Sequence, residues 1–278
     1  PRVRRQRQMC IRDRNNMNQY IKNVVKRMYQ IDVDTASKEQ LEAIEEINVS
    51  DITMNSEVTT WNFSEFPNLK KIDCSYLFIK DLITTGCTEL EYLRWEGVRG
   101  NDIHLDLSTN KKLKKVVGGQ DGIVELDFSF NPLLEEVSMS LSQSLRWIEL
   151  SHCNNLKRLT LFGVLIPFVD LTALHNLEYV NISYMNQYRN MADEYGDGYP
   201  RPILFVNEDF NESIIEDHTR QYSYYTYKLI KVSEGSKEQK FLNEVKAMKE
   251  KILSIPVDRK GKYVAILHYA LMDKLNNL

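Results

Sequence analysis

Between residues 58 and 182 the chain repeats one arrangement of apolar positions: an apolar residue, a second three places on, and a third two places after that. It recurs about every eleven residues, as in Ile123/Leu126/Phe128, Leu134/Val137/Met139, Leu145/Ile148/Leu150 and Leu156/Leu159/Leu161. The last two members of a triplet alternate as on a strand, so they face the same way. A strand this short cannot bury that face alone. Stacked coils can bury it against one another, joined by parallel strands about 4.8 Å apart. Two such halves predict one coil of about 22 residues.

Six coils align on this template. First-half triplets run from Val58/Trp61/Phe63 through Ile79/Leu82/Thr84 and Asp102/Leu105/Leu107 to Ile166/Val169/Leu171. Second-half triplets run from Leu69/Ile72/Cys74 through Leu90/Leu93/Trp95 and Leu113/Val116/Gly118 to Leu177/Val180/Ile182. After each first-half triplet comes Ser or Thr, and two residues later Phe66, Cys87, Asn110, Asn131, Cys153 or Leu174. An inward Asn there can bond the backbone of neighbouring coils, and a buried Cys is a tolerated small substitute. Thr84, Asp102 and Gly118 break the template and predict an irregular third coil.

The pattern LxxLxL followed by Asn or Cys resembles the leucine-rich repeat. The stretch "LDFSFNPLLEEVSM" is similar to the bacterial surface repeats of the internalin-like and BspA-like kinds. The resemblance covers about residues 41–186. It implies an α/β fold: a leucine-rich-repeat solenoid of about six coils with parallel β-strands, a helical N-terminal cap and a mixed β/helical C-terminal cap. It also implies a non-enzymatic protein-binding or adhesion module, at the cell surface or secreted. An intracellular adaptor acting through the C-terminal helices, and the recognition domain of a larger enzyme, are the other readings.

The flanks divide by pattern. Residues 15–57 read as the N-terminal cap, with Ile21, Val24, Val25 and Met28 at helical spacing and a capping box at Ser37 and Gln40. Residues 58–186 are the solenoid. Residues 187–235 are a turn-rich loop with strands at "ILFV" and "YKLIKV". Residues 236–278 predict a helical hairpin, opened by a second capping box at Ser236 and Gln239 and striped by Phe241, Val245, Met248 and Ile252.

Charge changes the picture in two places. "PRVRRQRQMCIRDR" looks like a nucleic-acid arm, but "MCIRDR" reads as a translated library adaptor, so residues 1–14 are expected to be non-native. They hold six Arg and one Asp, +5, so the remainder carries −8 against −3 for the whole chain. Nucleic acid is a poor partner for that remainder. Within second-half triplets the sign alternates coil by coil: Lys70-Lys71, Glu91-Tyr92, Lys114-Lys115, Glu135-Glu136, Lys157-Arg158, Glu178-Tyr179. Adjacent strands would then set opposite charges side by side.

Candidate chemistry is sparse. No HxxxH pair, phosphate loop or GxSxG elbow occurs. No metal or cofactor is expected, and no apolar run reaches the length of a membrane span. Cys74, Cys87 and Cys153 read as buried free thiols. The candidate partner-binding residues lie on the outward side of first-half strands, where Asp106, Asp127, Glu149 and Asp170 form a column with Trp147 beside it. Tyr222 and Tyr224, in the tyrosine-rich stretch 179–227, are further candidates. The expected ligand is a protein of basic character or a glycan, bound by a monomer.

Overall fold

The computed structural model describes residues 17–50, 60–97, 103–120, 122–185, 202–218, 227–253 and 274. The adaptor-like segment and the candidates Tyr222 and Tyr224 lie outside them. The chain winds as a parallel-stranded solenoid. Its second-half strands form one continuous eight-stranded sheet: β1 (Glu46–Asn48), β3 (Lys71–Asp73), β5 (Tyr92–Glu96), β7 (Lys115–Gly119), β9 (Glu136–Ser140), β11 (Arg158–Phe162), β13 (Tyr179–Asn181) and β15 (Ile215–Glu216). The first-half strands are β2 (Thr60–Asn62), β4 (Asp81–Ile83), β6 (His104–Leu105), β8 (Glu125–Asp127), β10 (Trp147–Glu149), β12 (Phe168–Asp170), β14 (Ile203–Val206) and β16 (Lys228–Lys231). They form three shorter sheets, β2-β4-β6, β8-β10 and β12-β14-β16. Every pairing is parallel.

The triplets fill the space between the two columns. Trp61, Phe63, Leu93, Val116, Leu134, Leu159 and Leu161 are all at most 1% exposed, and they belong to one continuous core. Two of the template-breaking residues, Gly118 and Thr84, have physical reasons; Asp102 lies outside the described residues. Gly118 is the register partner of Trp95, and a Cβ on Gly118 would sit 2.4 Å from the Trp95 ring. The large ring in one coil is accommodated by the missing side chain in the next. Thr84 is buried and donates its hydroxyl to Asn110 Oδ1 at 2.8 Å.

That contact belongs to the expected inward ladder. Asn110 Nδ2 donates to the carbonyls of Thr84 and Cys87, and Asn131 Nδ2 to those of Leu107 and Asn110. The Cys87 and Cys153 thiols reach the carbonyls of Phe63 and Phe128. The turns' inward carbonyls, which would be costly to bury unpaired, are thereby satisfied.

The N-terminal end is closed by α1 (Gln19–Tyr29) and α2 (Lys38–Glu42). Asn18 caps α1 and also bonds the Thr60 carbonyl; Tyr29 bonds that of Glu46. Edge groups of β2 and β1 are thus covered, as an open solenoid end requires. The Ser37/Gln40 capping box forms in full. Met28, placed by spacing on the buried face of α1, is 43% exposed.

At the other end the winding runs further than the sequence pattern suggests. β14, β15 and β16 extend the two columns in parallel register instead of forming a separate cap. Then α3 (Lys237–Leu253) returns across the outward side of β12 and β14. Ser236 caps it by accepting the Gln239 N–H, whereas the Gln239 side chain pairs with Asn243. Lys274 pairs with Glu244; the second half of the expected helical hairpin otherwise lies outside the described residues.

Candidate functional site

The solenoid presents two outward faces, and they treat charge differently. On the eight-stranded sheet the alternating ladder closes on itself. Lys70 pairs with Glu45 and Lys71 with Glu46, each at 2.7 Å; Lys114 pairs with Glu91, Lys115 with Glu136 and Lys157 with Glu135 at 2.9–3.1 Å. Arg158 lies 4.4 Å from the centre of the Tyr179 ring. The Tyr179 hydroxyl donates to Glu216, which also pairs with His218. Burial and that bond raise the Tyr179 hydroxyl's pKa. Exposed pairs of this kind are each worth under about 1 kcal/mol, but a slip by one coil would set like on like. Glu45 and Glu46 add a step that the sequence pattern did not count.

The first-half face is acidic without such alternation. Its middle strands β4 and β8 have buried centres and half-buried flanks. Asp127 and Glu149 are register partners on β8 and β10. Asp106 is exposed, Asp127 and Asp170 are half-buried, and Glu149 is 7% exposed. Strand alternation adds two acids that the sequence reading missed: Asp81 on β4 and Glu125 on β8, two residues before the column. They were legible, because an outward position repeats on each side of the inward one.

Each column carboxylate also has a local task. Asp106, Asp127, Glu149 and Asp170 accept the backbone N–H two residues on, from Ser108, Ser129, Ser151 and Thr172, at 2.8–3.0 Å. Asn62 does the same for Ser64. These bonds close the turn after each strand, and an amide oxygen serves as well as a carboxylate. The charge of the column is therefore separable from its turn chemistry. Asp127→Asn should leave stability within about 0.5 kcal/mol of wild type, while Asp127→Ala should cost about 1 kcal/mol through the lost bond. Denaturant melts of the two variants check this. Equal losses would mean that the turn bond contributes nothing.

Trp147 lies half-buried beside Glu149, under α3 rather than open to a partner. Its ring meets Phe168 edge to face at 5.7 Å, and Phe168, Phe205 and Phe241 continue the contact. Among the described residues no cluster of three or more His, Cys, Asp or Glu could hold a metal. Also among them, no helix is long and apolar enough to cross a membrane.

The three described cysteines are buried free thiols. Burial pushes the Cys87 and Cys153 thiols up to about 12, and raises Cys74 further. The thiolate, which is the nucleophile, is therefore suppressed at neutral pH. Alkylation of the native protein should spare all three until unfolding; early labelling of Cys87 at neutral pH would contradict this burial. Both shifts are upward, so the thiols' share of stability is whole below the ordinary thiol range near 8.5 and is lost as pH rises toward 12.

No protein-family model matches the sequence, and no curated protein matches it. Solved structures do, in 22 chains. One is the functional domain of InlJ from Listeria monocytogenes, which includes a cysteine ladder. It aligns with a TM-score of 0.47 and 17% identity over 62% of this chain and 37% of that one. This chain thus spans little more than a third of that structure's length. The leucine-rich-repeat-like winding described here rests on its own strand pairings.

Proposed function

We propose that the protein is a non-catalytic binding module whose first-half face engages a protein partner of basic character. The observation that carries this is the acidic face. Asp106, Asp127, Glu149 and Asp170 follow one another coil by coil, Asp127 and Glu149 as register partners, and Asp81 and Glu125 add acids on β4 and β8. Like charges about 5 Å apart in water repel by roughly 0.8 kcal/mol per pair. The opposite sheet avoids that cost by alternation, whereas Asp127 beside Glu149 concentrates negative charge on this face. Such a field draws in a basic partner and favours it over acidic ones. The net −8 outside the first fourteen residues adds to it. The solenoid supplies what recognition needs besides charge: a rigid, extended row of side chains at coil spacing. The resemblance to bacterial surface repeats supports a place at the cell surface or outside the cell.

Zero-length carbodiimide coupling to an oligolysine peptide tests where a cation docks. Mass spectrometry should find adducts on Asp106, Glu125 and Asp127. Adducts confined to Glu91, Glu135 and Glu136 on the other sheet would contradict the proposal.

A further inference from the structure

The C-terminal end of the acidic face is covered by part of the chain itself, and the way it is covered is informative. On β12, β14 and β16 the residues alternate between two cores. Val169, Leu204, Val206 and Leu229 join the main core, while Phe168, Ile203, Phe205 and Ile230 turn outward with Trp147. These form a second, separate apolar cluster with Phe241, Leu242 and Val245 of α3. Removing α3 would expose this aromatic seat but break none of the strand pairings beneath it. The seat is therefore a feature of the solenoid face, and α3 is its occupant.

The fit of α3 leaves contacts unmade. A crevice of about 20 Å³, room for roughly one water, runs between Trp147, Glu149 and Asp170 on one side and Leu242, Val245 and Lys246 on the other. The indole N–H of Trp147, one of the lining residues, is buried without an acceptor among the described residues. Lys246 lies 3.6 Å from Asp170, longer than the roughly 2.7–2.9 Å of a charge-assisted hydrogen bond. The charges match in kind: Lys246 of α3 faces Asp170 beside the seat, and α3 as a sequence carries five Lys against three Glu. The acidic column also continues past the crevice through Asp127 and Asp106.

We propose that this aromatic and acidic seat is a docking site for a basic amphipathic helix of a partner protein, which α3 occupies in cis until displaced. The ligand is a helix with bulky apolar residues at i, i+1 and i+4, as Phe241, Leu242 and Val245 are placed, and a cation following them. An apolar stripe laid in a hydrophobic groove is a recurring mode of helix recognition. Tethering gives α3 a high effective concentration, so a partner must bind more tightly than α3 to enter. The inference deepens the acidic-face reading and rests on it only for the ligand's charge.

The test uses the full chain in a Cys10→Ser background and, as probe, a fluorescent synthetic peptide of residues 236–253. Phe241→Ser, or Val245→Asp, unseats α3 while leaving the solenoid core intact. Asp170→Cys with Lys246→Cys, joined by a short thiol-reactive bifunctional linker of about the span of the replaced side chains, locks α3 down. The peptide should bind the unseated chain at least about tenfold more tightly than wild type, a difference of about 1.4 kcal/mol, and should not bind the locked one. Failure to bind an unseated chain whose thermal unfolding is otherwise retained overturns the proposal, as does equal binding to the locked chain. Concentration-dependent dimerisation of wild type that the lock abolishes assigns the seat to a second copy and also overturns it. Adding Asp106→Asn and Asp127→Asn separates the two readings. Tight binding that survives keeps the seat while removing the upstream acids from it.

Discussion

Gly118→Val should destabilise the protein by about 3 kcal/mol, near the upper end for overpacking a core. Gly118 has no conformational need to be glycine; its constraint is the neighbouring ring. Trp95 is 1% exposed and faces Gly118 across β5 and β7, so neither can move into solvent. Trp95→Leu alone leaves a cavity and should cost about 2–4 kcal/mol. The double variant fills that cavity with the new side chain. It should fall short of the summed losses by at least about 1 kcal/mol, within the range for residues in contact. Denaturant melts of the four proteins give the coupling directly. Additive losses would mean that the large–small pairing does not explain the glycine.

Leu159→Ala should cost about 2–5 kcal/mol, as for other truncations of fully buried leucine. Leu159 is fully buried, between its register partners Val137 and Val180 on the adjoining strands. Coils on both sides are held by their own hydrogen bonds, so the hole cannot collapse without bending the ladder. A loss below about 0.5 kcal/mol would remove this triplet from the core.

How much of this was legible follows from which forces act locally. The inward triplets were, because period-two alternation and a fixed coil length are written into spacing alone. The Asn/Cys ladder and the charge alternation were too, since both repeat once per coil. The left-handed turns were not. Tyr76, Gly97, Gln120, Leu141, Gly163 and Tyr184 all adopt positive φ near +60°, one per coil at the end of a second-half strand. Only two are glycine. Stacking forces the conformation on the others, at about 1–2 kcal/mol each, so no residue type marks it.

Two further features were partly legible. The winding past Met185 was obscured because 186–201 separate the sixth coil from β14, and β15 is only two residues long. The seat under α3 did leave a signal. "PFVD" and "ILFV" are apolar at outward as well as inward positions, which means strands covered on both sides. Of the site candidates, the column was predicted from alternation. What alternation cannot show is that Glu149 and Trp147 lie beneath a helix more than eighty residues later in the chain.

The proposed division of labour between the two faces is tested most directly by the salt dependence of oligolysine binding in three proteins. One is wild type. In the second, Asp106, Asp127, Glu149 and Asp170 become Asn or Gln, which keeps their turn bonds. In the third, Glu135→Gln and Lys157→Met remove one rung of the opposite ladder. Removing the column should weaken binding about tenfold at low ionic strength and flatten its decline with salt, because screening then has less charge to act on. The ladder variant should match wild type on both counts. Unchanged affinity and slope in the column variant, with its fold intact, would contradict the account and leave those acids as turn-closing residues alone.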